Sequence, residues 1–205
     1  PAQAAPPAPA KPDFRVQQVR PLLAVLASAS GNVSVWSGPT GTVLVDDGAV
    51  GQVSQLLDNV ARISKAPVRF VINTNWHPDH TGGNEALAKA GAIIVAQEGT
   101  REHMSQPQID EETGAKVPAA PTAALPVVTF AESLSLQLDG ERIAVVHVAG
   151  AHTDSDVIVR WQEANAVQVG DLFDNGGYPN VDVASGGSMR ASTPSSAATM
   201  PAIDP

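Results

Sequence analysis

Asn75-Trp76-His77-Pro78-Asp79-His80, continued by Thr81-Gly82-Gly83-Asn84, is the stretch on which the reading of this chain turns. It packs two imidazoles and a carboxylate into four residues, directly after the apolar run Val68-Arg69-Phe70-Val71-Ile72. A buried strand that opens into closely spaced His and Asp aims several metal-ligating groups at one point. The chain has no cysteine, which removes disulfides and thiolate ligands together. Any metal must therefore be held by His, Asp, Glu, Asn or water, and neutral imidazole with carboxylate is a natural set for zinc.

Upstream of this stretch, short strands are expected over Phe14 to Val19, Asn32 to Trp36 and Thr42 to Val45. A helix is expected from about Val50, because Val53, Leu56, Leu57, Val60 and Ile63 recur at helical spacing and Pro67 follows as a stop. Downstream, Asn84 is expected to cap a short helix through Ala90, with Gly91 closing it. Ala92 to Val95 reads as a strand and Gln97 to Met104 as a helix. Residues 105–126, rich in Pro, Ala, Gln and Thr, read as a long surface loop of the kind that borders a cleft. Alternating apolar residues on either side of Asp139-Gly140 predict a two-residue hairpin. Strands over Val157 to Trp161 and Ala166 to Gly170 complete the series. From Ser188 to Pro205 the composition turns to Ser, Ala, Thr, Pro and Met without periodicity, which reads as an irregular tail.

The 205 residues suit one domain, expected over residues 14–187, and 43% of them are hydrophobic, enough for a sizeable core. The formal net charge of −9, with no Lys/Arg cluster, argues against nucleic acid as a partner. No apolar stretch reaches the roughly 18 residues of a membrane span. The Pro/Ala-rich leader over residues 1–13 is consistent with the remnant of a removed secretory signal, hence a periplasmic or secreted protein. A disordered cytoplasmic tail is the alternative.

Two further candidates sit at strand ends: His152 in Gly150-Ala151-His152-Thr153-Asp154, and Asp171 after the Ala166 to Gly170 strand. Taken singly, His152 reads as a surface or capping residue and Asp171 as a turn residue. His80 or Asp79 alone could cap the next helix. The cluster of His77, Asp79 and His80 is much harder to explain structurally. His/Asp at the ends of three strands suggests convergence on one edge of a sheet. For His147 a structural role and a supporting role behind the site are both open, and His103, beside Arg101 and Glu102, is expected to face solvent.

Asn73 to Asn84 resembles the metal-binding loop of the metallo-β-lactamase-fold superfamily, whose pattern is His-x-His-x-Asp-His. Gly41 to Asp46, Gly150-x-His152-Thr153 and Gly170-Asp171-Leu172-Phe173 match in the same order, so the resemblance spans roughly residues 14–187. It implies an α/β protein with the four-layer αββα sandwich, incomplete in its C-terminal half. It also implies one or two weakly bound zinc ions. His77 and His152 would serve the first, with Asn75 standing where a third histidine is expected. Asp79 and His80 would serve the second, Asp171 would bridge the two, and Asp79 would also act on the nucleophile as the catalytic residue. The set is similar to that of the cysteine-free, histidine-rich β-lactamase subclass and related periplasmic hydrolases.

The family pattern continues with a helix, a Gly-His-Gly turn and a last helix, yet no histidine follows His152. The tail is accordingly expected to reflect premature termination or an altered frame, and the uncovered apolar surface to drive self-association, including an element-swapped dimer. The function implied is a zinc-dependent hydrolase acting on a small-molecule β-lactam, lactone, ester or amide. A catalytically impaired relative acting as a binding protein is the alternative, and an iron redox protein ranks third.

Overall fold

The computed structural model describes residues 14–109, 116–174, 176–178 and 180–189. The expected leader, and all of the expected tail beyond Met189, lie outside them.

Two sheets carry the fold. The larger has the spatial order β1 (Arg15–Arg20), β2 (Leu23–Ser28), β3 (Gly31–Ser37), β4 (Thr42–Val45), β5 (Val68–Ile72), β6 (Ile93–Gln97), β9 (Val128–Phe130). Its first four strands form an antiparallel meander, and β4, β5, β6 and β9 run parallel. The crossovers pass through α1 (Val53–Ile63), then α2 (Pro78–Thr81) and α3 (Asn84–Lys89), then α4 (Glu98–Ser105). The smaller sheet is an antiparallel run of β10 (Ser133–Leu138), β11 (Glu141–His147), β12 (Val157–Trp161) and β13 (Ala166–Gln168). A two-stranded hairpin, β7 (Gln108–Ile109) with β8 (Lys116–Val117), stands apart from both.

The large sheet is covered on both faces, and its central strands are therefore apolar at consecutive positions. On β5, Val71 packs with Leu44, Leu56, Val60, Leu87 and Ile94 under the helices. Its neighbour Ile72 faces the other way and packs with Trp36, Val95, Ile143, Val159 and Trp161 between the sheets. The described residues thus build three layers, helix, sheet and sheet, in a mixed α/β architecture.

The expected hairpin forms as read. Asp139 and Gly140 take φ of 50° and 84°, the paired positive values of a type I′ turn, and Leu138 pairs with Glu141. Asp139 also reaches the large sheet's loop, accepting bonds from Thr40 N and Thr40 Oγ1 at 2.8 Å each.

Several local expectations need correction. Leu23–Ser28 forms a strand second from the edge of the large sheet where none was expected, because a continuous apolar run has no period to announce it. The first helix begins at Val53, since Gly48 and Gly51 sit at φ of 77° and 88° and hold the preceding residues in a turn. Strand β13 ends at Gln168, and Gly170 (φ 54°) opens a 3-10 turn that carries Asp171. Asn84 is no cap: it is the first residue of α3 and wholly buried. Its amide exchanges bonds with Asn73 (2.9 and 3.1 Å) and donates to Ala124 O at 3.1 Å.

Candidate metal centre

The loop that follows β5 is clamped before it delivers its ligating groups. Asn73 continues the parallel pairing with Asn73 N donating to Val95 O, while its side chain holds His80 O at 2.9 Å. Thr74 N donates to Asp46 Oδ1 at 2.7 Å, which ties the loop to the end of β4. Pro78 then starts α2, where a missing N–H costs nothing, and the single turn puts Asp79 and His80 above the C-terminal edge of the parallel strands.

His77, His152 and Asp171 converge, with one ligand atom from each lying within 4.8 Å of the others. His152 Nε2 lies 3.1 Å from His77 Nδ1 and 3.3 Å from Asp171 Oδ2. The outer nitrogen of each ring is already committed. His77 Nε2 is 3.0 Å from Asp182 Oδ2, and His152 Nδ1 is 2.9 Å from Asn180 O. Carboxylate and carbonyl oxygens only accept, so both of those nitrogens carry the proton. The inner nitrogens, His77 Nδ1 and His152 Nε2, are then lone pairs facing each other. Two lone pairs that close repel unless a cation or proton stands between them. Burial holds His77 below the ordinary histidine value, although Asp182 pulls the other way, so the neutral ring is favoured there.

His80 approaches the same oxygen of Asp171 as His152 does. Its Nδ1 is 3.1 Å from both Asp46 Oδ2 and Thr74 Oγ1. Its Nε2 lies 2.9 Å from Asp171 Oδ2 and 3.4 Å from Asp79 Oδ2, yet it is buried without an aligned hydrogen-bond partner among the described residues. Burial opposes charge on this ring, but Asp46 and Asp171 outweigh it and raise its pKa well above the usual histidine range. The pocket around Nε2 is therefore built for positive charge. Asp171 shows the complementary effect. Burial would raise its pKa, but His80, His152 and the Asn75 amide bring it below the usual carboxylate range.

Asn75 is wholly buried and its amide is fully used. Nδ2 donates to Asp171 Oδ2 at 2.9 Å, and Oδ1 accepts from His77 N at 2.9 Å. Its oxygen is turned into the loop and serves the backbone in this arrangement.

Three supporting residues carry a role that the sequence does not announce. Asp46 orients His80, and Asp182 and Asn180 orient His77 and His152. The last two belong to a strap over residues 180–188 that is pinned to the His152 loop. Asp182 N donates to His152 O, Asp154 N to Ser185 O and Ser188 N to Ala151 O, each at 2.8 Å. Nothing periodic marks that segment, and only its Asn-x-Asp pattern hinted at polar work. His103 also departs from expectation. It stacks on Trp76 (centroids 5.3 Å, 22°) with Nε2 2.9 Å from Asp154 Oδ1, and does not simply face solvent. Trp76 in turn meets His77 edge-on at 4.6 Å. His147 contacts Asp154 O at 2.7 Å and stays out of the converging set.

Supporting carboxylates behind ligating histidines typically change metal affinity about 10–100-fold. Asp182→Asn is therefore expected to weaken divalent-metal binding by about that factor, measured by calorimetry. The amide keeps an acceptor for Ser185 N, so thermal stability should stay close to wild type. Unchanged affinity would remove Asp182 from the site.

A family model described as the metallo-beta-lactamase superfamily matches residues 29–202. Among solved structures, a metallo-beta-lactamase from Pontibacter korlensis superposes with a TM-score of 0.67 at 22% identity, covering 87% of this chain and 81% of that one. MEM-A1, a subclass B3 metallo-beta-lactamase from a soil metagenome library, gives 0.61 at 18% identity, with 77% and 61% covered. MIM-1 from Novosphingobium pentaromativorans gives 0.61 at 20%, with 75% and 58% covered. These likenesses speak to the fold, and this chain spans about three fifths of the latter two proteins. With the family pattern running through most of the sequence and the α/β fold shared, the chain belongs to the metallo-beta-lactamase superfamily.

Proposed function

We propose that the protein is a zinc-dependent hydrolase of small esters, lactones or amides. The observation that carries this reading is the pair of lone pairs, His77 Nδ1 and His152 Nε2, meeting 3.1 Å apart beside Asp171. In a tetrahedral zinc site with bonds of about 2.0–2.1 Å, neighbouring ligand atoms stand about 3.3 Å apart. Two of the three separations, 3.1 and 3.3 Å, are close to that edge, and the His77–Asp171 pair lies within 4.8 Å. His80 Nε2, buried and unaligned between Asp171 and Asp79, offers a second position.

Zinc bound there would supply Lewis acidity and make water acidic enough to attack at neutral pH. The chain's own groups do the rest. Asp171 sets the separation of the two positions, with Asn75 holding its Oδ2. The Asp79 side chain, 46% exposed toward the cleft, is free to take a proton from water and return it to the leaving group. Trp76 and Pro78 wall one side of the cleft.

The committed amide of Asn75 favours a second reading, a relative whose first site is too weak to support turnover. Asn75→His separates the two. Structural zinc is worth ~10–16 kcal/mol over four ligands, so one added imidazole, less the two hydrogen bonds lost, should raise affinity about tenfold or more. If the site is otherwise complete, zinc retained after dialysis and ester hydrolysis both rise. Protein that stays metal-free and inactive in both forms is the impaired relative.

A further inference from the structure

We infer that the cleft accepts substrates with no negative charge near the scissile bond and turns away those that carry a carboxylate; this rests on the hydrolase reading above. The cleft over the candidate centre has a volume of about 1090 Å³, enough to surround a drug-sized molecule. Five aspartates line it: Asp46, Asp79, Asp171, Asp174 and Asp182. Among the described residues that line it there is no lysine or arginine. Two divalent ions, with His80 neutral as a ligand, would bring four positive charges against those five carboxylates, and one ion would bring two, or three with His80 charged. The cleft stays net negative in either state. A substrate carboxylate thus finds no lysine or arginine to pair with, since the imidazole of His80 already faces Asp46 and Asp171, and it meets like charge at short range, which interfaces use to reject wrong partners.

The mouth has the opposite character. Ile109 and Phe173, 65% and 66% exposed, stand at it with Val117. Exposed apolar side chains grouped at the rim of a polar cleft suit an acyl or aryl group on an uncharged substrate.

Chemistry strengthens the selection. Hydrolysis joins the water oxygen to the acyl carbon and breaks the bond to the leaving oxygen or nitrogen. That atom takes one proton of the water, and the new acid loses the other to solvent. A neutral substrate thus becomes a carboxylate inside a net negative cleft, which expels it.

The test uses a matched pair on the zinc-loaded full chain: 4-nitrophenyl butyrate, and mono-4-nitrophenyl glutarate, which adds a terminal carboxylate. The neutral ester is expected to have a kcat/KM about a hundredfold higher, with the ratio shrinking as sodium chloride screens the cleft. Asp174→Asn, at the exposed rim, should narrow the ratio, whereas Asp58→Asn, on the exposed face of α1, removes the same charge and should not. Equal rates, preference for the glutarate, a ratio insensitive to salt, or equal effects of the two variants would each overturn the inference.

If neither ester is hydrolysed, the hydrolase reading fails, and the charge of the cleft is read from Trp76 fluorescence, with Trp76→Phe isolating its signal. Trp36 and Trp161 are 1% exposed, and Trp76, 7% exposed, lines the cleft. Quenching several times stronger by caesium than by iodide supports a cleft that rejects anions. Iodide quenching as well as caesium overturns it.

Discussion

Replacing His152 with alanine is expected to abolish zinc binding at the site and reduce hydrolysis to background. The ring is 4% exposed and is fixed through Asn180 O, with its free nitrogen within 3.3 Å of both His77 Nδ1 and Asp171 Oδ2. Its removal takes one of three converging groups and leaves the Asn180 carbonyl without that partner. Sharing ~10–16 kcal/mol over four zinc ligands puts the loss at about 10²–10³-fold in affinity. A ligand that binds only the folded state raises its melting temperature, so wild-type protein should gain thermal stability on zinc addition and the variant should not. His147→Ala is the natural control, five positions away, its ring hydrogen-bonded to the Asp154 carbonyl. A zinc-dependent stabilisation that survives in His152→Ala would exclude the site as described.

Gly82→Ala should be among the most damaging small substitutions near the centre. Gly82 has ordinary helical dihedrals (φ −67°, ψ −20°), so backbone freedom is not the issue. A methyl group there would strike Val50 N, Ala49 C and Gly48 O, all main-chain atoms that cannot swing aside. The loop carrying His77 to His80 would have to lift off the turn after β4, breaking the 3.0 Å bond from Gly82 N to Gly48 O. Overpacking of this kind costs about 1–3 kcal/mol, or roughly 2–12 °C in a protein of this size. His80 would move with the loop, so metal binding should weaken alongside melting temperature. A variant that melts normally and binds metal normally would show that the two loops separate freely.

What the sequence disclosed divides by the range of the interaction. Local signals were readable: the apolar face of α1, the Asp139-Gly140 turn, and the strand that opens into His77-Pro78-Asp79-His80. Each depends on residues a few positions apart. Strand β2 was hidden because burial on both faces erases alternation. Asn84 looked like a cap because asparagine before a helix favours that role, and Asn73, eleven positions upstream, and Ala124, forty downstream, divert its amide inward. His103 looked exposed among charged neighbours, but its ring partner Trp76 and its ion partner Asp154 lie far off in sequence. The convergence of His77, His152 and Asp171 was anticipated from strand ends. The groups that orient them were not, since Asp182 sits in a Gly- and Ser-rich segment with no pattern.

The strap over residues 180–188 also sets an order of events in time. The bond between His77 and Asp182 spans 105 positions, and the approach of His77 to His152 spans 75. Closing such distances precedes any return from the contacts they make, which slows folding. The early loop can form with the parallel strands while its imidazoles still lack their anchors. A metal ion that arrived then would meet mobile rings; one that arrives after the strap docks meets them held in place. An ion held between His77 and His152 would thus fasten early and late segments of the chain together.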